Sequence, residues 1–275
     1  GRVNYVAFSP DDEWLASAAD DGTVRLWNQV GRATVLEMPD NGVNSVEFSP
    51  DSASLVATTD GGAVWVWDVA DASLRFELTG HEAPSYHAVF SHDGTLIASG
   101  DGVGVVRLWN AEDGELVDAL PVNAGPGSGD PILSIAFNSE DTGLAVGGVI
   151  GVNAAGVQIW DIELGDPVAQ LYGHATWGAI AAIMPDDSYV ISAGRAEPGQ
   201  DGPVTSSARI WNTANGELAV VLVGYPAGVV AAAFRPDGEE MMTSDGSFVY
   251  IWPMQMMDVF AATFGEAVGV QIPVP

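Results

Sequence analysis

Apolar and polar positions alternate in short runs along almost the whole chain. "VNYVAF" (3–8), "WLASA" (14–18) and "TVRLW" (23–27) switch every second residue, with Pro, Asp and Gly in the gaps. A fourth run follows, "ATVLEM" at 33–38, and its counterpart "LRFEL" stands at 74–78. A period of two with this punctuation predicts antiparallel strands joined by tight turns. No stretch holds a helical period over ten residues.

The pattern recurs at longer range. "FSPDDEWLASAADDGTVRLWN" (8–28) is nearly respelled as "FSPDSASLVATTDGGAVWVWD" (48–68). Tryptophans close the third run at Trp27, Trp67, Trp109, Trp160, Trp211 and Trp252, at spacings of 40, 42, 51, 51 and 41. The turn before the second strand keeps step, from "SPDD" at 9 to "RPDG" at 235, so there are six copies. A period near 40 residues indicates a repeat architecture. One small sheet cannot bury both of its faces, so neighbours must stack on it. Radial stacking predicts an all-β chain, a β-propeller of six four-stranded antiparallel blades.

The copy "VAFSPDDEWLASAADDGTVRLWN" resembles the WD-repeat (Trp-Asp) β-propeller family, and the resemblance runs in degenerate copies from residue 1 to about 252. It implies a buried network in each blade of a Gly-His pair, a Ser or Thr, a turn Asp and the Trp. Gly80-His81 and Gly173-His174 match the pair, and Gly224-Tyr225 falls in the same place. Counted six residues back from the Trp, only Asp21 keeps the turn acid; Gly61, Val103, Ala154, Thr205 and Gly246 stand elsewhere. The expectation is that no copy retains the whole network, and that blades rely on apolar packing.

In this topology, loops entering a first strand and loops joining second to third strands share one face. Three long departures from the repeat, 122–131, 147–156 and 194–206, all fall there. The opposite face keeps its short turns. Variable loops on a rigid scaffold commonly carry binding. The candidate partner contacts are therefore Asn123, Asp130, Asn153, Trp177, Arg195, Glu197, Gln200 and Asp201. Their bland counterpart is drift in degenerate repeats, and for Trp177 simple packing. Arg25, Arg107 and Arg209 each stand two before a Trp and read as a repeat column.

Composition narrows the chemistry. Eight Arg, no Lys and 37 acidic residues give a formal charge of −29, so the phosphate-binding clusters that nucleic acid requires are missing. No apolar run approaches the length of a spanning helix, and direct membrane insertion is not expected. The absence of Cys removes thiolate zinc sites and cysteine nucleophiles. His87 and His92 have no third ligand at metal spacing, and the acidic runs at 11–13 and 20–21 lack the alternating oxygens of a calcium loop. No metal site or cofactor is expected. Nor does any G-x-S-x-G, H-E-x-x-H or P-loop occur.

The reading is a non-catalytic protein–protein interaction scaffold, or a structural subunit of a larger assembly. The alternative is a propeller enzyme for a carbohydrate or small molecule, with paired carboxylates at the channel mouth. Low total charge without Lys or Cys favours an extracytoplasmic or cell-surface location over the cytoplasm. Residues 1–265 are expected to form one domain, with "DVFAATF" (258–264) as the last fourth strand and 266–275 as an extended tail. That tail would pair with the first blade or reach a partner; seven blades is the alternative count.

Overall fold

A computed structural model describes residues 1–39, 42–122, 130–149, 155–174, 180–194, 206–225, 228–255 and 267–268. It is all-β, with its strands in six sheets, and divides into two compact units, Gly1–Phe137 and Asn138–Pro275.

The first unit opens with β1 (Val3–Phe8), β2 (Trp14–Ala19), β3 (Thr23–Asn28) and β4 (Ala33–Glu37). A second sheet follows as β5 (Val43–Phe48), β6 (Ser54–Thr59), β7 (Val64–Asp68) and β8 (Leu74–Leu78). A third follows as β9 (Ser85–Phe90), β10 (Leu96–Asp101), β11 (Val106–Asn110) and β12 (Leu116–Leu120), and β13 (Ile132–Phe137) packs against β9 and β10. Each four-stranded sheet is antiparallel and keeps chain order. Burial follows position: β6, central in the middle sheet, is buried along its whole length, whereas every β8 residue but Leu78 meets solvent or its margin. Trp65 and Trp67 of the second sheet close a core with Ala16, Ala18 and Leu26 of the first.

The first-to-second strand turns are three castings of one design. Ser9, Ser49 and Ser91 donate from Oγ to Asp11, Asp51 and Asp93, at 2.5, 2.5 and 2.7 Å. The same hydroxyls accept the backbone N–H of Trp14, Ser54 and Leu96. The next turn position takes a left-handed φ in Asp12, Ser52 and Gly94, a conformation that Asp, Ser and above all Gly tolerate there.

Successive first strands are stapled by asparagine. Asn4 Nδ2 donates to Asp20 Oδ1 (2.6 Å) and to the Val43 carbonyl (3.0 Å). Asn44 Nδ2 repeats this with Asp60 Oδ1 (3.1 Å) and the Ser85 carbonyl (2.9 Å). Ser45 Oγ also accepts the Ala88 N–H at 3.3 Å, so the inter-sheet seam is polar at its inner edge. The "VN" that begins both strands is thus a joint between sheets as well as part of an alternating strand.

In the second unit β14 (Gly143–Val149), β15 (Ala155–Asp161) and β16 (Asp166–His174) pair consecutively. β17 (Ile180–Ile183), β18 (Tyr189–Gly194), β19 (Ser206–Asn212) and β20 (Leu218–Tyr225) form the next sheet, and β21 (Ala231–Phe234), β22 (Glu240–Ser244) and β23 (Val249–Pro253) the last. The expected strand 258–264 lies outside the described residues. Within the tail, β24 (Ala267–Val268) pairs in parallel with β20, through Leu222 and Val223, and not with the first sheet. An outer strand exposes unpaired backbone groups that an apolar segment of the same unit can satisfy.

Candidate functional site

The residues that tie a first-strand entry to a second-to-third-strand turn show which connections share an end of the sheets. In the first unit His81, between β8 and β9, lies 2.9 Å from Asp101 Oδ2 by Nδ1 and 2.7 Å from Ser99 Oγ by Nε2. Trp109 Nε1 donates to the same Ser99 oxygen at 2.8 Å. Ser99 Oγ thus joins Trp109 to His81 Nε2, and His81 Nδ1–H donates to the Asp101 carboxylate. Asp101 Oδ1 accepts the N–H groups of Val103 and Val105, at 3.1 and 2.9 Å. Burial opposes its ionisation, but the His81 bond and these backbone donors outweigh it and hold the carboxyl below its ordinary range.

This corrects the expectation that no copy keeps the network, because the third sheet has all four groups. Its acid is the last residue of β10, eight positions before Trp109, and so escapes a count of six. Other copies hold part of it. Trp27 Nε1 donates to Ser17 Oγ (3.2 Å), while Asp21 is taken by Thr23 (2.5 Å) and Arg25 (3.2 Å). Trp67 stacks on Trp65 at 6.2 Å, and Trp160 Nε1 turns to Gln158 Oε1 at 2.7 Å.

The second unit repeats the join twice. His174 Nε2 and Trp211 Nε1 meet Ser192 Oγ at 2.8 and 2.7 Å. Burial, with the Arg209 charge added, pushes His174 down to about 4, so it is neutral at pH 7. In the last sheet Tyr225 replaces the histidine: its hydroxyl and Trp252 Nε1 meet Thr243 Oγ1 at 2.8 and 2.9 Å. Asp245, at the start of the next turn, accepts from Tyr250 Oη (3.0 Å) and from the N–H groups of Ser247 and Phe248.

These joins place the departures from the repeat. The loop 122–131 enters β13 at the His81 end of the first unit. The β14–β15 connection, 147–156, and the β18–β19 connection, 194–206, belong to the end of the second unit that carries His174 and Tyr225. Of the candidate contacts, Asp130 is half-buried just before β13. Asn123, Asn153, Trp177, Arg195, Glu197, Gln200 and Asp201 lie outside the described residues.

The turn-bearing end is chemically quieter. It contains a cleft of about 410 Å³ lined by Ser49, Asp51, Arg75, Phe90, Thr95 and Glu112. Asp51 is held below the ordinary carboxylate range, chiefly by the Ser49 hydroxyl. Such an acid is a poor general base or proton donor at neutral pH.

One carboxyl departs the other way. Glu47 on β5 is pushed up to about 8 by burial, with the Phe90 N–H working against the shift. Tyr5 on β1 is raised to about 12, by burial and then by Glu47, and burial lowers His87 on β9 to about 4. Among the described residues no second carboxyl is raised, and they hold no group of three or more His, Cys, Asp and Glu suited to a metal. Among the described residues no helix is long and apolar enough to cross a membrane. Sequence reasoning placed His87 on a strand but passed over Tyr5 and Glu47, which are ordinary strand residues until three sheets bring them together.

Comparison with known proteins agrees with the strand order. The family model for the WD domain, G-beta repeat, matches residues 1–28, 32–68 and 72–110. The SIR4-interacting protein SIF2 of Saccharomyces cerevisiae is 24% identical over 97% of this chain and 42% of its own length. Nuclear distribution protein nudF of Emericella nidulans is 27% identical over 96% of this chain and 62% of its own length. The F-box-like/WD repeat-containing protein TBL1X of Mus musculus is 27% identical over 63% and 26%. The chain thus spans less than two thirds of each of these relatives. Three copies in residues 1–110 match the WD-repeat model, the chain is similar along nearly its whole length to SIF2 and nudF, and the Trp-closed copies after residue 110 drift from the pattern.

Proposed function

We propose that this chain is a non-catalytic scaffold that docks another protein through the connections 122–131, 147–156 and 194–206. The observation that carries the reading is an asymmetry between the two ends. In the first unit the connection 122–131 leads into β13 at the end tied by His81, and in the second the connections 147–156 and 194–206 leave from the end tied by His174 and Tyr225. At the other end of the first unit the turn serines and aspartates are bonded to one another and to their own turn's backbone. WD-repeat relatives support the scaffold class, and SIF2 is named for an interaction.

The test is affinity capture from the native source with the intact chain and with a variant shortened at 122–131 and 195–206. The variant should keep its denaturation midpoint and lose the captured proteins. If both versions capture the same proteins, the docking face is elsewhere.

A further inference from the structure

The acid of the third and sixth copies stands two residues after the hydroxyl that takes the tryptophan: Asp101 after Ser99 and Asp245 after Thr243. The side chain two before the tryptophan faces that acid. Arg107 Nη1 lies 3.8 Å from Asp101 Oδ2, and the Tyr250 hydroxyl donates to Asp245 Oδ2 at 3.0 Å. The fifth copy keeps every other part. Ser192 Oγ meets Trp211 Nε1 and His174 Nε2 at 2.7 and 2.8 Å, and Ser192 pairs with Arg209 across the ladder as Ser99 does with Arg107. Two residues after Ser192 the chain has Gly194 in place of the acid.

We propose that Arg209 and His174 form a carboxylate-binding site, in which a carboxylate from outside the chain takes the place that Asp101 holds in the third copy. The site does not rest on the docking reading above. A half-buried guanidinium is costly unless an anion joins it. Arg25 has Asp21 at 3.2 Å and Arg107 has Asp101, but among the described residues no acid stands on Arg209. Burial acts on its charge, and no carboxylate opposes the effect.

A Cβ on Gly173 would collide with Arg209 Nη1, so the guanidinium lies on the Gly173 backbone, and Gly173 itself is exposed. A Cβ on Gly194 would stand 3.0 Å from His174 Cγ and Nδ1, so this edge of the imidazole faces the position from which the third copy's acid rises. Arg209 and His174 thus flank that position. An imidazole with its hydrogen on Nδ1 donates to a carboxylate there as His81 does to Asp101. The planar guanidinium fork matches a carboxylate. Charge balance favours one too: His174 is neutral at pH 7, so the site offers a single positive charge, which a monoanion cancels. A dianion would overshoot it in a chain of formal charge −29.

The third copy is a control within the same molecule. The Nε atoms of Arg107 and Arg209 are both buried, which shelters their N–H groups from solvent, and with eight arginines the Nε–H region of a nitrogen-15 NMR spectrum is sparse. Titration of the full chain at pH 7 with acetate, with chloride holding the ionic strength constant, should move the Arg209 signal to saturation. Arg107, whose acid is in place, should stay nearly still. N-acetylglutamate methylamide, whose one carboxylate is a glutamate side chain, identifies the source. If it binds as acetate does, the natural ligand is a partner's acidic side chain; if only acetate binds, it is a small free carboxylate.

Arg209→Gln should keep the denaturation midpoint and weaken acetate binding, read from the Gly194 amide, at least about tenfold. Arg209→Lys keeps the charge without the fork and should weaken it about two- to fivefold. Gly194→Asp returns an acid to the register of Asp101 once the imidazole gives by a few tenths of an ångström, and should abolish the response of Arg209 to acetate. Glu197→Gln combined with Asp201→Asn should bind acetate as the unaltered chain does; tighter binding would mean that an acid of the 194–206 connection fills the site, and would overturn the proposal. So would the absence of a saturable shift at Arg209, an equal shift at Arg107, or full binding by Arg209→Gln.

Discussion

The third and the sixth sheets solve one problem with different side chains. In both, a buried tryptophan donates to a hydroxyl, Ser99 or Thr243, and an acid at the start of the following turn is saturated by backbone N–H groups. In the third sheet His81 joins the two halves, bonded to Ser99 through Nε2 and donating to Asp101 through Nδ1. In the sixth, Tyr225 stops at Thr243, and Tyr250 reaches the acid instead. The edge contact of the two tyrosine rings, 5.0 Å at 80°, replaces the missing hydrogen bond with packing. What the repeat demands is a hydroxyl for the tryptophan and a restrained acid at the turn; the link between them is replaceable.

The largest effect should come from cutting the continuous version. Asp101→Ala strands His81 Nδ1–H and the N–H groups of Val103 and Val105 in a buried setting, at a cost of about 3–5 kcal/mol. Urea denaturation followed by tryptophan fluorescence measures it; a loss under about 1 kcal/mol would show that the link carries no strain of the fold.

Acid should separate the two units next. The folded value of His174, about 4, lies below the ordinary 6.5, so the folded second unit binds fewer protons than its unfolded form. Its contribution is complete above pH 6.5 and is lost as pH falls toward about 4, a swing of up to about 3 kcal/mol. His87 loses stability over the same range in the first unit, but Glu47 runs the opposite way. Its folded value of about 8 exceeds the ordinary 4.5, so its contribution is complete below pH 4.5 and is lost as pH rises toward 8. Between pH 6.5 and 4.5 the two nearly cancel in the first unit and leave His174 unopposed in the second. Hydrogen exchange at both pH values should show opening of β17–β20 favoured by acid and β5–β10 little changed. Equal responses would break the comparison, and His174→Gln should flatten the second unit's response.

Smaller changes sharpen it. Thr243→Val leaves Trp252 Nε1 and the Tyr225 hydroxyl without their shared partner, for about 2 kcal/mol in thermal or urea melts. Asn44→Ala removes the staple to Asp60 and the Ser85 carbonyl, for about 1 kcal/mol.

The strands were legible because alternation reports a sheet face directly, and the Trp-closed copies fixed their number and order. The network was legible in its parts and misread as a whole. A fixed count back from Trp109 lands on Val103, whereas the acid that closes the clamp is held by the end of β10, and turn lengths vary between copies. Asn4 and Asn44 looked like ordinary polar positions, because a side chain that bonds the next sheet leaves no periodic trace. Tyr5 and His87 stand 82 residues apart, and their rings meet only once the sheets are stacked. Which end of its own sheet each variable connection leaves from follows from connectivity alone, whereas contacts within those connections depend on conformations that no repeat dictates.

The most direct test is a hydrogen-exchange footprint of the chain with and without a captured partner. The account predicts protection concentrated in 122–131, 147–156 and 194–206, with the turns at 9–12, 49–52 and 91–94 unchanged. Protection of those turns with the three loops unaffected would contradict it.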